Sequence, residues 1–155
     1  MNAEASQIVA ALGLVPLPRE GGFFRQTWRS AASSAIYFLL TSKDFSAFHR
    51  LRRSDEVWHF YAGDSVEHVM LEPDSRTPRV TTLGDKVITG AVPQLVVPVD
   101  VWQGARLAPG GAAGWALLGC TLAPAWDEKD FELAEREALL GAFPAAAAHI
   151  NALTR

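Results

Sequence analysis

Phe-His-Arg-Leu-Arg-Arg-Ser-Asp-Glu-Val-Trp-His-Phe-Tyr-Ala-Gly-Asp, residues 48 to 64, sets imidazole, carboxylate, guanidinium and aromatic groups between two apolar, strand-like segments. Its local reading is a short strand carrying His49 and Leu51, a charged turn from Arg52 to Asp55, a second strand from Glu56 to Tyr61, and a Gly-Asp turn. The turn brings His49 and Glu56 together. Side chains alternate along a strand, so Glu56, Trp58 and Phe60 point one way while Val57, His59 and Tyr61 point the other.

Upstream, Ile8, Val9 and Leu12 recur at helical spacing within Ala3 to Leu12, and Gly13 follows where a left-handed cap would stop the helix. Pro16, Pro18 and the Gly21-Gly22 pair impose a turning path before an aromatic-rich strand from Phe23 to Arg29. On that strand Phe23, Arg25, Thr27 and Arg29 share one face, and Phe24, Gln26 and Trp28 the other. Ser34 to Thr41 is almost wholly apolar, as in a central strand covered on both faces. Downstream, Glu67 to Leu71, Arg79 to Leu83, Gln94 to Val99, Trp102 to Leu107 and Trp115 to Leu122 read as further strands separated by turns. From Asp127 the period changes: Phe131, Ala134 and Ala138 predict a helix capped by Asp127 and stopped by Gly141, and a last alanine-rich helix starts at Pro144. Many short strands with helices only at the ends predict an all-β antiparallel barrel or sandwich.

The chain has 155 residues, the size of one domain, and no linker or internal repeat divides residues 1 to 155. With 49% hydrophobic and 20% charged residues it is not a disordered chain. A net charge of −3 supplies no global field for nucleic acid or an anionic membrane. No stretch approaches the roughly 20 apolar residues of a membrane span, and the N-terminus has no basic, then apolar, leader pattern, so a cytoplasmic protein is expected. Cys120, the one cysteine, lies in an apolar run and reads as a buried, inert thiol.

Several constellations carry possible chemistry. His49, Glu56, His59 and Gln103 are residue types that bind zinc, iron or manganese, but alternation separates Glu56 from His59 unless a bulge intervenes. His49 beside Glu56 suits proton transfer near neutral pH, although ordinary proteins also bury such pairs for structure. Arg25 and Arg29 fall on an ordered strand face, whereas Arg52 and Arg53 read as a solvated turn. Trp28, Tyr37, Trp58, Phe60, Tyr61, Trp102 and Trp115 supply aromatic surface for a flat ring or a sugar. Trp58 is favoured because it shares the Glu56 face.

These residues resemble the cupin superfamily, whose first motif has the form G-x5-H-x-H-x3,4-E-x6-G. His49, Glu56 and Gly63 fit it, while Leu51 stands at the second histidine and Lys43 at the first glycine. The second motif, G-x5-P-x-G-x2-H-x3-N, is matched only at Pro98, with Asp100 for glycine and Gln103 for histidine. Two of the four usual metal ligands are thus replaced. The chain is more closely similar to a cupin branch catalogued as a domain of unknown function. Six blocks carry that similarity in order: residues 20 to 30, 35 to 41, 48 to 50, 55 to 64, 93 to 98 and 119 to 124.

The resemblance implies a double-stranded β-helix, the cupin jelly roll, with a short N-terminal helix and C-terminal helices, usually paired as a homodimer. The leading expectation is a small polar or aromatic metabolite bound in the barrel, without a cofactor. His49, Glu56, Gln94 and Gln103 would hydrogen-bond it, Trp58 and Tyr37 would pack on it, and Arg25 would add a charge. One alternative is an enzyme resembling the metal-free sugar epimerases and isomerases, with His49 as base and Tyr61 or Tyr37 as proton donor. A second is a divalent-metal cupin that recruits His59 to His49 and Glu56. A third is an interaction module whose apolar strands are buried in a dimer.

Overall fold

The computed structural model describes residues 1–155 and shows two antiparallel sheets packed face to face, with helices at the chain ends. Helix α1 (Ala3–Leu12) opens the chain; Asn2 caps it by accepting from the Ala5 amide, and Gly13 ends it at φ 61°. The strands are β1 (Val15–Pro16), β2 (Phe23–Arg29), β3 (Ser34–Thr41), β4 (Ser46–Leu51), β5 (Asp55–Gly63), β6 (Val66–Leu71), β7 (Arg79–Leu83), β8 (Gln94–Val97), β9 (Trp102–Leu107), β10 (Trp115–Ala123) and β11 (Phe131–Leu133). Helices α2 (Arg136–Ala142) and α3 (Ala147–Ala152) close it. One sheet runs β1-β2-β3-β10-β5-β8 and the other β11-β4-β9-β6-β7. No helix is long and apolar enough to cross a membrane.

Strand alternation builds three apolar layers. Phe38, Leu40, Trp58, Met70, Leu95 and Leu118 point between the sheets and form the main core. Their chain neighbours face outward: Leu39 and Trp115 pack under α1, while Phe48, Val69 and Leu71 meet Leu139, Ile150 and Leu153 from the C-terminal helices. Each sheet therefore has a helical cover over part of its outer face. Trp115 fixes the first of these by donating its indole N–H to Glu4 at 3.0 Å.

Three expectations change. First, β4 and β5 are not hairpin partners: β4 pairs with β9 and β11, β5 with β10 and β8, and the Arg52–Ser54 turn carries the chain from one sheet to the other. His49 and Glu56 thus approach across the interior and not along a ladder. Second, the helix expected from Asp127 begins only at Arg136. Asp127 instead caps a single 3-10 turn, and Phe131 and Leu133 pair with Leu51 and His49 at the edge of β4. That free edge needed hydrogen bonds, and Phe-Glu-Leu is short and alternating enough to supply them. Third, a bulge in β2 between Gln26 and Trp28 re-phases the strand, so Trp28 turns to solvent while Phe24 and Gln26 face inward.

Because Ile150 is fully buried on the outer face of the β4 sheet, Ile150→Ala should cost about 3 kcal/mol in urea unfolding through the cavity it leaves. Unchanged stability would show that the C-terminal helices are not part of the cooperative unit.

Candidate functional site

A cavity of about 720 Å³ opens between the sheets, against the N-terminal segment and the turn before β11. Half of its lining is hydrophobic, including Phe24, Ile36, Phe38, Leu122 and Phe131; Glu20, His49 and Glu56 face it with Cys120 beside them, and Arg19, Arg25, Gln26, Ser34 and Glu128 complete its polar lining. An apolar hollow with a small set of convergent polar groups is the usual form of a small-molecule site.

His49 is buried on β4, where its Nδ1 lies 2.8 Å from the Ala47 carbonyl. A carbonyl can only accept, so Nδ1 carries a proton, and Nε2 makes no hydrogen bond to the chain. The ring stacks on Phe131 at 5.4 Å and 23°. Strand β11 therefore wedges the imidazole in place. Glu20 Oε1 lies 4.0 Å from the same Nδ1 and accepts from Ser46 Oγ at 2.7 Å.

Glu56 is held from behind by Gln103, whose Nε2 donates to Glu56 Oε2 at 2.5 Å. The orientation of that amide is forced. Trp58 Nε1, which can only donate, reaches Gln103 Oε1 at 2.9 Å, so Oε1 is the oxygen and Nε2 must face Glu56. His68 Nε2, 3.1 Å from the same oxygen, must then also carry a proton, which leaves His68 Nδ1 buried and unpartnered. Burial raises the Glu56 carboxyl above its usual range, opposed by the neighbouring His49. When Glu56 holds a proton, it sits on Oε1, the oxygen that Gln103 leaves free. Burial also lowers His68 to about 4, so it is a neutral structural donor at ordinary pH. Cys120 is pushed well above its ordinary value by the same cause and is no nucleophile.

The residues expected at the site divide into three groups. His49 and Glu56 line the cavity, and Arg25 reaches its margin near Gly13 while lying over the Tyr37 ring at 5.5 Å. Trp58 and Gln103 are interior but lie behind Glu56, outside the cavity wall, with Trp58 edge-on to Phe38 and His68. Tyr37, Tyr61, His59 and Gln94 are on the opposite face of the sheet: for His59 and Tyr61 this is the outward phase that strand alternation gives, and it corrects the ligand roles expected of Tyr37 and Gln94 and the alternatives that used Tyr61 or His59. Tyr37 meets Tyr61 edge to face at 6.3 Å, and His59 lies 3.3 Å from both Thr121 Oγ1 and Gln94 Nε2. Strand period decides this, since these positions are odd-numbered on β3 and β5 or opposite such a position.

A metal does not fit this donor set. The irregularity in the β5 and β10 pairing falls beyond Phe60, so it does not turn His59 inward. Leu51 offers no ligand, the Gln103 oxygen is occupied by two donors, and no three His, Cys, Asp or Glu side chains converge in a metal-binding arrangement.

The sequence reading missed Glu20, Arg19 and Phe131. The Gly21-Gly22 pair marked a turn there, but positive φ at Arg19 (70°), Gly21 (107°) and Gly22 (74°) shows a tight left-handed path around Glu20. Phe131 was hidden by the helical period assigned to its segment.

The chain matches the family model described as Cupin superfamily (DUF985) over residues 6–134. It is 30% identical to a hypothetical protein from Leishmania major, with 99% of each chain covered and a TM-score of 0.90. A protein from Shewanella oneidensis is 34% identical, with 100% of this chain and 98% of that one covered and a TM-score of 0.88. A nucleoside dehydratase from Streptomyces, 12% identical over 79% of this chain and 85% of its own, shares the fold alone at a TM-score of 0.52. No curated protein matches.

Two titrations follow from the buried groups. His68 has a folded value near 4 against an ordinary 6.5, so acid favours the unfolded chain, and stability should fall by about 2 kcal/mol between pH 7 and pH 5 from this group. Ring NMR of His68 should show it neutral across that range, and protonation near 6.5 would contradict the assignment. Glu56 has the opposite sign. Its folded value is raised, so its contribution is full below the unfolded carboxylate range and is lost as pH climbs through the folded value. Glu56→Gln should therefore raise neutral-pH stability relative to the parent and shrink that gain in acid, as read by urea unfolding at several pH values.

Proposed function

The chain belongs to the DUF985 family of the cupin superfamily, and from that premise we propose that it binds a small, partly apolar metabolite between its sheets, with His49 and Glu56 as the polar contacts. The observation that carries this reading is that His49 Nε2 makes no hydrogen bond to the chain and Glu56, beyond Gln103, has only the Trp58 indole and the weakly donating Cys120 thiol beside it, the two residues facing one cavity from different sheets. Nε2 accepts a hydrogen bond, and a protonated Glu56 donates one. A ligand bearing a hydroxyl or carbonyl on a compact ring satisfies both, while Phe131, Phe24 and Phe38 cover its faces. A fragment screen read by His49 and Phe131 NMR shifts should return binders seated there, weakened at least about 10-fold in His49→Ala and Glu56→Ala. Binders that leave those signals unmoved, or that ignore both substitutions, would sink the reading.

A second reading, proton transfer on the bound molecule, is favoured by the same pair. A neutral imidazole with a fixed Nε2 lone pair is a base, and a carboxyl raised by burial is an acid, so a proton can leave one atom of the ligand as another arrives. Glu56 takes the donor role in place of Tyr37 or Tyr61, whose rings lie outside the cavity. Deuterium from heavy water should enter a C–H of bound carbonyl fragments, and His49→Gln should slow that exchange by about 100-fold or more. Exchange at the solution rate with the parent protein would leave binding alone.

A further inference from the structure

Most arginines of this chain are committed to oxygen atoms of the chain itself. Arg50 and Arg52 share Asp100 and Glu132, Arg155 holds Asp44, and Arg106 holds Glu67. Arg19 is different. Its guanidinium makes no hydrogen bond or ion pair, although Glu20 and Glu128 line the same cavity, and it lies 5.4 Å over the centre of Phe131. Phe131 is also the ring on which His49 stacks, again at 5.4 Å. The guanidinium carbon and the imidazole centre are therefore no farther apart than the sum of those two distances, and both groups line the one cavity.

The backbone beneath Arg19 is fixed in a way that an idle surface arginine does not require. Arg19 adopts φ 70°, a conformation that costs a non-glycine residue about 1 kcal/mol. Its carbonyl accepts from Arg155 Nε at 3.2 Å, and the next carbonyl, of Glu20, accepts from Arg155 Nη2 at 3.1 Å and from the Ala47 amide at 2.9 Å. One short loop thus aims a carboxylate inward at the His49 side and leaves a cation above Phe131.

We propose that Arg19 is a specificity-determining residue that reads an anionic group on the ligand, so that the molecule bound between His49 and Glu56 is an acid, a carboxylate or a phosphate monoester. The inference rests on the cavity reading above. The ligand's uncharged body lies along Phe131, and its anion replaces water around the guanidinium in a charge-assisted, two-pronged contact.

Benzoate, phenyl phosphate and uncharged benzyl alcohol, titrated into the full chain and followed by His49 and Phe131 NMR shifts, test this directly. At least one anion should bind about 10-fold or more tighter than benzyl alcohol, and Arg19→Gln should abolish that margin while leaving benzyl alcohol unaffected. Arg76→Gln, in an exposed loop, should leave the margin intact. The better of the two anions distinguishes a carboxylate ligand from a phosphate. If benzyl alcohol binds as well as both anions, or if Arg19→Gln keeps the margin, the proposal is overturned and the cavity reading stands. If none of the three probes perturbs either signal at millimolar concentration, both fail.

Discussion

The carboxamide of Gln103 is the contact on which the arrangement of this interior depends. It accepts from the Trp58 indole, an obligate donor, and therefore also from His68, and its nitrogen has then only one direction left, toward Glu56. A flipped amide would set its nitrogen against the Trp58 N–H and its oxygen against the Glu56 carboxylate, two buried repulsions in place of two hydrogen bonds. The four residues come from three strands in two sheets, so the network also pins β5 against β6 and β9. Glu56 is buried for the same reason, and the raised affinity of its carboxyl for a proton follows from that burial.

The other half of the site is built by a short edge strand and a loop outside the central strands of the two sheets. Strand β11 has three residues, yet it completes the β4 edge and brings Phe131 against His49. The loop holding Arg19 and Glu20 is tied by Arg155 at the end of the described chain and by the Asp44 carboxylate, which accepts from the Gly22 amide at 2.8 Å. Gly21 has no room for a side chain there, since a Cβ would collide with the Phe45 carbonyl. Sheet residues therefore supply the His49 imidazole and the Glu56 carboxyl, and the outlying segments supply the second carboxylate, the aromatic wall and the unpaired cation.

Much of this was legible in the chain itself. The two-residue period of 55 to 63 placed Glu56 and Trp58 inward and His59 and Tyr61 outward, because a strand gives its side chains no other choice. Leu51 and Gln103, standing where the resemblance puts histidines, already weakened the metal reading. Errors arose where a local pattern met a distant partner. Phe131, Ala134 and Ala138 keep a helical spacing, but the unpaired β4 edge claimed 131 to 133 as a strand. Gln94 sits at an apolar strand end, and only its ladder partner, His59, shows that it points away from the barrel.

By itself the sequence determined most of the strands, the opening helix, an all-β antiparallel architecture and the inward phase of β5, since these follow from local sterics and hydrophobic periodicity, while the jelly-roll class came from the family resemblance. Tertiary structure alone decided that His49 and Glu56 face one another from different sheets, that Gln103 and Trp58 stand behind the cavity, and that Glu20, Arg19 and Phe131 border it. Those placements depend on pairings between residues tens of positions apart, and no periodicity within a single segment encodes its partner.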